Sequence, residues 1–220
     1  MIAPAEWSDE QPRQSKETPS IVTVGVAVLA IIILAGAGFF FVYRPWHLRW
    51  GATREEVDRT MPGDEVVPAP IFNGTRGVTI EARPEAIWPW IVQIGFGRAG
   101  WYSYDLLDNF GRHSAEGLVP ELQHIAVGDL IPMAPGKNSG MRVKEFETGR
   151  SMLWWEKHHL TTWAWALDPL PGGRTRLVTR VRARPSWRHP STAFWLLLVE
   201  VADFPMMRRC LLGIKRRAEA

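Results

Sequence analysis

Arg174-Thr175-Arg176-Leu177-Val178-Thr179-Arg180-Val181-Arg182-Ala183-Arg184 is the stretch on which the fold turns. Side chains change face at every residue of a strand. Arg174, Arg176, Arg180, Arg182 and Arg184 therefore share one face, and Thr175, Leu177, Thr179, Val181 and Ala183 share the other. That is the period of a strand in an antiparallel sheet with one wet face and one face on a core. Pro171-Gly172-Gly173 just upstream is a turn signal. Across it, Leu160–Asp168 sets Trp163, Trp165 and Leu167 on one face, pointing inward. Further strands are expected at Asp129–Met133, Gly140–Glu147 and Arg150–Lys157. Another is expected at Thr75–Ala82, where Arg76, Val78 and Ile80 alternate with Thr75, Gly77, Thr79 and Glu81.

Helices flank these strands. Pro84 and Glu85 suit a first helical turn and open a helix to about Ile94, kinked at Pro89. Ser103–Phe110 reads as a short helix, with Ser103 as N-cap, Leu106, Leu107 and Phe110 buried, and Gly111 as terminator. A long helix covers about Ser191–Arg217. Arg208, Arg209, Lys215, Arg216 and Arg217 lie toward its C-terminal end, where cations suit the helix dipole. Its apolar part, Ala193–Met207, contains Glu200 and Asp203 and is interrupted by Pro205, so it is too short and too charged for a membrane span. Strand, two helices, several antiparallel strands and a long helix make an α+β architecture.

Upstream lies Ile21–Tyr43, IVTVGVAVLAIIILAGAGFFFVY, a run without a charge. At about 1.5 Å per residue it reaches roughly 34 Å, enough for a hydrocarbon core of about 30 Å. It is longer than a signal-peptide core, and Tyr43-Arg44-Pro45-Trp46 follows it. It is read as one transmembrane helix. Arg44, Arg49, Arg54 and Arg59 after it outnumber Arg13 and Lys16 before it, which places the C-terminal side in the cytoplasm. Trp46 and Trp50 suit a membrane interface. The chain thus divides into a tail at 1–20, polar enough to be disordered, a membrane helix at 21–43, a juxtamembrane connector at 44–74 and a domain at 75–220. Within the connector, Thr53 and Glu56 form a capping-box pattern, Met61–Pro70 is rich in Pro and Gly, and Asn73-Gly74 is a turn signal. Asn73-Gly74-Thr75 is also a glycosylation sequon, relevant only outside the cytoplasm.

The 220 residues carry 26 Lys and Arg against 23 Asp and Glu, a net charge of +3. No nucleic-acid module accompanies that charge, and a basic domain tethered to an anionic leaflet accounts for it. The single cysteine, Cys210, excludes an intrachain disulfide framework. Twelve tryptophans supply much flat aromatic surface for a core, an interface or a cavity.

Several phrases resemble a known group. They are Arg83-Pro84-Glu85-Ala86-Ile87-Trp88-Pro89-Trp90-Ile91-Val92-Gln93-Ile94-Gly95, Gly100-Trp101-Tyr102-Ser103-Tyr104-Asp105, Val119-Pro120-Glu121-Leu122-Gln123, Val127-Gly128-Asp129, and Leu211-Leu212-Gly213-Ile214-Lys215-Arg216-Arg217. Over about Thr75–Glu219 the chain resembles the START-like, or SRPBCC, superfamily, which includes polyketide cyclase/dehydrase and lipid-transfer relatives. It looks like a membrane-anchored bacterial branch. The resemblance implies a helix-grip fold, an antiparallel sheet wrapped round a long C-terminal helix, and a cavity between them for an apolar ligand. It carries over no catalytic motif.

Candidate sites follow. Trp101, Tyr102, Tyr104, Trp163 and Trp165 are candidates to line the cavity; ordinary core packing is the alternative that periodicity does not separate. The arginine face of 174–184 is either a solvated sheet face or a basic patch facing the membrane. Gly95-Phe96-Gly97-Arg98-Ala99-Gly100 matches a dinucleotide fingerprint in letters, but a helix precedes it where that motif needs a strand. Glu156, His158 and His159 fall at a hairpin tip and lack the converging set that a metal needs. Asp105 and Asp108 serve acid–base chemistry only if desolvated. No cofactor is expected. The sequence thus points to a membrane-anchored protein binding a lipid-like or aromatic small molecule. The alternatives are a cyclase/dehydratase-type enzyme with an acid–base pair drawn from Tyr102, Tyr104, Asp105 or Glu156, and a non-catalytic interaction protein with a filled core.

Overall fold

The computed structural model describes residues 21–136, 139–156, 160–184 and 192–220. The tail at 1–20, with its expected disorder, lies outside them, as do His158 and His159. The described residues divide into two units, one ending at Val42 and the other running from Tyr43 to Ala220.

In the first unit, helix α1 (Ile21–Gly38) is apolar all round and has no buried residue. A π-helical turn, Phe39–Tyr43, follows, and helix α2 (Arg44–Leu48) opens the second unit. Pro45 explains the wider turn: it has no N–H to donate and its ring clashes with the preceding helical carbonyl. The continuous run Ile21–Leu48 is 28 residues, long and apolar enough to cross a membrane.

The second unit is built on six antiparallel strands: β1 (Phe72–Ile80), β2 (Leu130–Pro132), β3 (Gly140–Glu147), β4 (Ser151–Trp155), β5 (Thr161–Leu170) and β6 (Arg174–Ala183). They lie in the order β1-β6-β5-β4-β3-β2. The alternation in 174–183 sets the register, pairing Leu177 with Val78 on one side and with Leu167 on the other. Inward residues Ile80, Met152, Trp154, Trp165 and Leu177 form the main core with helix α4 (Pro84–Val92) and helix α6 (Thr192–Ala218). This is the α+β helix-grip arrangement that the resemblance implies. Strand β1 begins earlier than the turn residues suggest. Asn73 and Gly74 sit inside it, opposite Arg182 and Val181. A continuous ladder satisfies the backbone there, which outweighs the local turn preference of Asn-Gly.

The connector corrects the reading of the arginine face. Helix α3 (Arg54–Asp58) carries the expected capping box: Thr53 Oγ1 accepts from the Glu56 N–H, and Glu56 accepts from the Thr53 N–H. From there the chain runs across the outer face of the sheet. Met61 packs on Leu153, Ala164, Ala166 and Val178 as a second small core. Arg180, expected on a wet or membrane-facing face, is 3% exposed. Its guanidinium donates to Asp64 (2.6 Å), to Thr75 Oγ1 (2.8 Å) and to the carbonyls of Glu56, Val57 and Arg59 (2.8–2.9 Å). Arg182 takes the other oxygen of Asp64 (3.0 Å) and the carbonyls of Val67 and Pro68. Arg176 grips Glu56 with two nitrogens (2.6 and 2.8 Å) and also donates to the Gly51 carbonyl. Of the five, Arg174 and Arg184 are exposed. The stripe is a set of clamps for the connector because carboxylates and helix-end carbonyls arrive over it.

Arg76 also departs from a simple pattern. It shares the inward face with Val78 and Ile80 and is 1% exposed. Its charge is matched by Asp203 of α6 at 2.5 Å, and its Nε donates to the His47 carbonyl of α2 at 2.9 Å. Arg44 of α2 pairs with Glu200 of α6 at 2.7 Å.

Candidate functional site

Between α6 and the inner face of the sheet lies a largely apolar pocket of about 410 Å³. Its floor is aromatic. Trp163 on β5 stacks on Trp101 (centroids 5.6 Å apart, planes within 8°) and on Trp165 (5.1 Å), and Trp154 meets it edge-on at 5.2 Å. The Trp163 indole N–H donates to Thr179 Oγ1 at 2.7 Å, so the polar edge of the ring is satisfied away from the pocket. The roof is α6, which presents Met206, Met207 and Cys210. Flexible thioethers line irregular space well and adapt to different apolar shapes.

The mouth is formed by the segment after Gly100. Helix α5 is a single turn, Asp105–Asp108. Leu106, Leu107 and Phe110 were expected to be buried in a longer helix; they are 78%, 64% and 62% exposed. The local polar network explains this. Asp105 accepts from the Asn109 amide (2.7 Å) and from Ser114 Oγ (2.6 Å) and N–H (3.1 Å), and Asn109, not Leu106 or Phe110, is turned inward. Phe110 has φ 52°, followed by Gly111 at φ 82°, so the chain reverses with the phenyl ring outward. Leu107, Phe110 and Met133 rim the pocket. Ser103, expected as an N-cap, donates to the Met206 carbonyl at 3.0 Å and holds the segment to α6.

The candidate residues separate into two places. Trp101 and Trp163 line the pocket, and Trp165 lies behind Trp163 at 1% exposure. Tyr102 and Tyr104 face a different, polar groove. Tyr102 has φ 55°, a strained value for a tyrosine. It is fixed there by its N–H to Ser114 Oγ (3.1 Å), its hydroxyl to the Trp90 carbonyl (3.1 Å) and the Gln93 amide to that hydroxyl (2.9 Å). Burial pushes its phenol well above the usual range. Sequence reasoning missed Met206, Met207 and Cys210. Their i, i+1, i+4 spacing, with Asp203 and Ile214, was the available signal for one face of a helix.

Two ionisable groups on the pocket are perturbed. Burial raises the Asp108 carboxyl above its ordinary value, against the acceptor bonds that favour its charged form. Burial also pushes the Cys210 thiol far up, which favours the neutral thiol, a small apolar group in the pocket wall. Asp105 goes the other way: burial is outweighed by the hydrogen bonds of Ser114 and Asn109, and its carboxyl is held below the usual value. Gly95 and Gly100 pair as an isolated bridge, closing a tight turn after α4, and the next helix, the single turn α5, starts only at Asp105, so the glycines do not lead directly into a helix N-terminus as a phosphate cradle would need.

No protein-family model matches the chain, and no curated protein matches it. Solved structures do. A polyketide-cyclase-like protein from Corynebacterium glutamicum is 16% identical, covering 66% of this chain and 89% of its own, at a TM-score of 0.41. The Aha1 dimer from Colwellia psychrerythraea is 15% identical, covering 67% and 96%, at 0.37. A protein from Thermobifida fusca is 14% identical, covering 66% and 92%, at 0.41. The class defined by this chain's own elements is a helix-grip unit with an apolar pocket beneath its long helix.

Proposed function

We propose that this chain is a membrane-anchored binding protein for a lipid-like or aromatic small molecule. The observation that carries the reading is the apolar pocket of about 410 Å³ floored by stacked tryptophans and roofed by Met206 and Met207. Such a site gains affinity chiefly from apolar area removed from water, at about 25 cal/mol per Å². The open mouth and its exposed rim favour a ligand over a filled core. The run Ile21–Tyr43 would hold the unit in the bilayer with the C-terminal side in the cytoplasm. There the protein meets ligands dissolved in the membrane at raised local concentration. The folded unit takes in the connector at 44–74 together with 75–220.

Native mass spectrometry of the full chain, released from uncharged detergent, tests this. A co-purifying apolar molecule that is lost in Met207→Trp, which fills the roof, is expected. A wild-type chain that carries nothing and takes up no apolar fluorescent probe would refute it. A second reading, a cyclase- or dehydratase-type enzyme, is favoured by Asp108, whose raised carboxyl opens onto the pocket beside Ser103. It predicts an altered product whose formation stops in Asp108→Asn while ligand retention persists.

A further inference from the structure

The opposite flank of α6 carries a second, polar groove of about 540 Å³, sharing Ser103 with the apolar pocket. Four guanidiniums border it, those of Arg208, Arg209, Arg216 and Arg217, against two carboxylates, Asp105 and Glu116. The carboxylates are already engaged. Asp105 is committed to Asn109 and Ser114, with His113 Nδ1 at 3.3 Å. Glu116 Oε1 accepts from Arg217 at 2.7 Å and from Arg216 at 3.3 Å. Arg217 is itself tied down, 8% exposed and bonded to the carbonyls of Ala115 and Gly213.

Arg208 and Arg209 differ from every clamp on the sheet. Among the described residues, no carboxylate lies within ion-pair distance of either. Each guanidinium lies instead over an aromatic ring: Arg208 over Trp50 at 5.0 Å, and Arg209 over Tyr104 at 4.5 Å. Stacking on a ring fixes the plane of a guanidinium and leaves its N–H donors at the edge and its charge uncancelled. Side-chain entropy has therefore been spent in advance, which lowers the loss on binding an anion.

We infer that this groove is a binding site for a phosphate group, held by the edges of Arg209 and Arg216 with Arg208 at the rim. Planar guanidinium forks match phosphate oxygens two at a time. The surplus of two positive charges in the groove matches a phosphate monoester dianion. The same chemistry is offered by an acidic phospholipid headgroup and by a free phosphate, and the site requires no ligand in the apolar pocket.

The test uses the full chain in uncharged detergent micelles at constant ionic strength. It is titrated in one arm with inorganic phosphate and in the other with micelles doped with phosphatidate, phosphatidylcholine serving as the zwitterionic comparison. Tryptophan fluorescence and thermal midpoint are read. Saturable binding in the phosphate arm assigns a free phosphate. Saturation by phosphatidate alone, clearly tighter than phosphatidylcholine, assigns a lipid headgroup. In the paired variant Arg209→Gln, Arg216→Gln, affinity falls at least tenfold, with the thermal midpoint of the unliganded chain unchanged because both side chains are exposed. No saturation by inorganic phosphate together with no preference for phosphatidate over phosphatidylcholine, or unchanged affinity in the paired variant, overturns the assignment. Uptake of an apolar fluorescent probe is measured alongside. Its loss refutes the apolar pocket and leaves the phosphate site standing, and the reverse outcome does the opposite.

Discussion

Replacing Arg180 with alanine separates a buried clamp from a solvated stripe. On an exposed sheet face the change is worth a few tenths of a kcal/mol at most. Here the side chain is 3% exposed and makes five hydrogen bonds, one to a carboxylate that is itself mostly covered. A hydrogen bond from a charged group is worth about 1.5–3 kcal/mol. Five do not add, since water enters the vacated space and Arg182 retains one oxygen of Asp64. Removing one partner of a buried ion pair costs about 3–5 kcal/mol, because the other is left uncompensated. We take that range. For a folded unit of this size it lowers the thermal midpoint by about 6–20 °C. The assay is urea and thermal unfolding of the full chain in uncharged detergent, followed by tryptophan fluorescence, with Arg174→Ala as the exposed comparison. Limited proteolysis should cut first between Thr60 and Pro70, the segment that Arg180 and Arg182 hold down. A loss under about 1 kcal/mol, or equal losses at 174 and 180, would refute the reasoning.

Other outcomes follow from single contacts. Gly213→Ala should destabilise by about 2 kcal/mol or more, because its Cβ would strike the backbone carbonyl of Tyr102, a residue held in place through its N–H by Ser114 and through its hydroxyl by the Trp90 carbonyl; equilibrium unfolding measures it. Asp108→Asn should raise stability at neutral pH. A carboxyl whose folded pKa is raised is destabilising once pH exceeds its unfolded value, so the gain should vanish in acid, as urea midpoints at pH 7 and pH 3 will show. Glu56 has the opposite sign. Burial pushes its carboxyl up, but the bonds from Arg176 and the Thr53 N–H prevail and hold it below 4.5. Its contribution is therefore present above that value and lost as pH falls through the lowered one, and Glu56→Gln should flatten that part of the stability–pH curve.

The strand ladder was legible because its residues obey a strict period of two; the expected bounds at Gly140–Glu147 match those of β3, and those of β6 differ by one residue. The capping box at Thr53 was legible for the same local reason. What period cannot reveal is what arrives from elsewhere in the chain. The alternation at 174–184 gave two faces, but it did not say that residues 53–68 would cover the charged one, since that depends on contacts more than a hundred residues away. Leu106 and Phe110 misled because a helical spacing was assumed for a segment whose backbone is set by Asp105, Asn109 and Ser114. The pocket was half visible. Trp163 points inward by alternation, whereas Met206 and Met207 belong to a helix whose apolar stripe is interrupted by arginines.

Arg76 joins parts that a topology diagram keeps separate. One end of its guanidinium grips the backbone of α2 at His47, and the other grips Asp203, which is also part of the pocket wall. With no slack at either contact and almost no solvent around it, this side chain works as a strut. A shift of the short helix at Arg44–Leu48 is therefore carried through one residue to Asp203 in the chamber's lining, so the volume available to a guest and the position of α2 are mechanically linked.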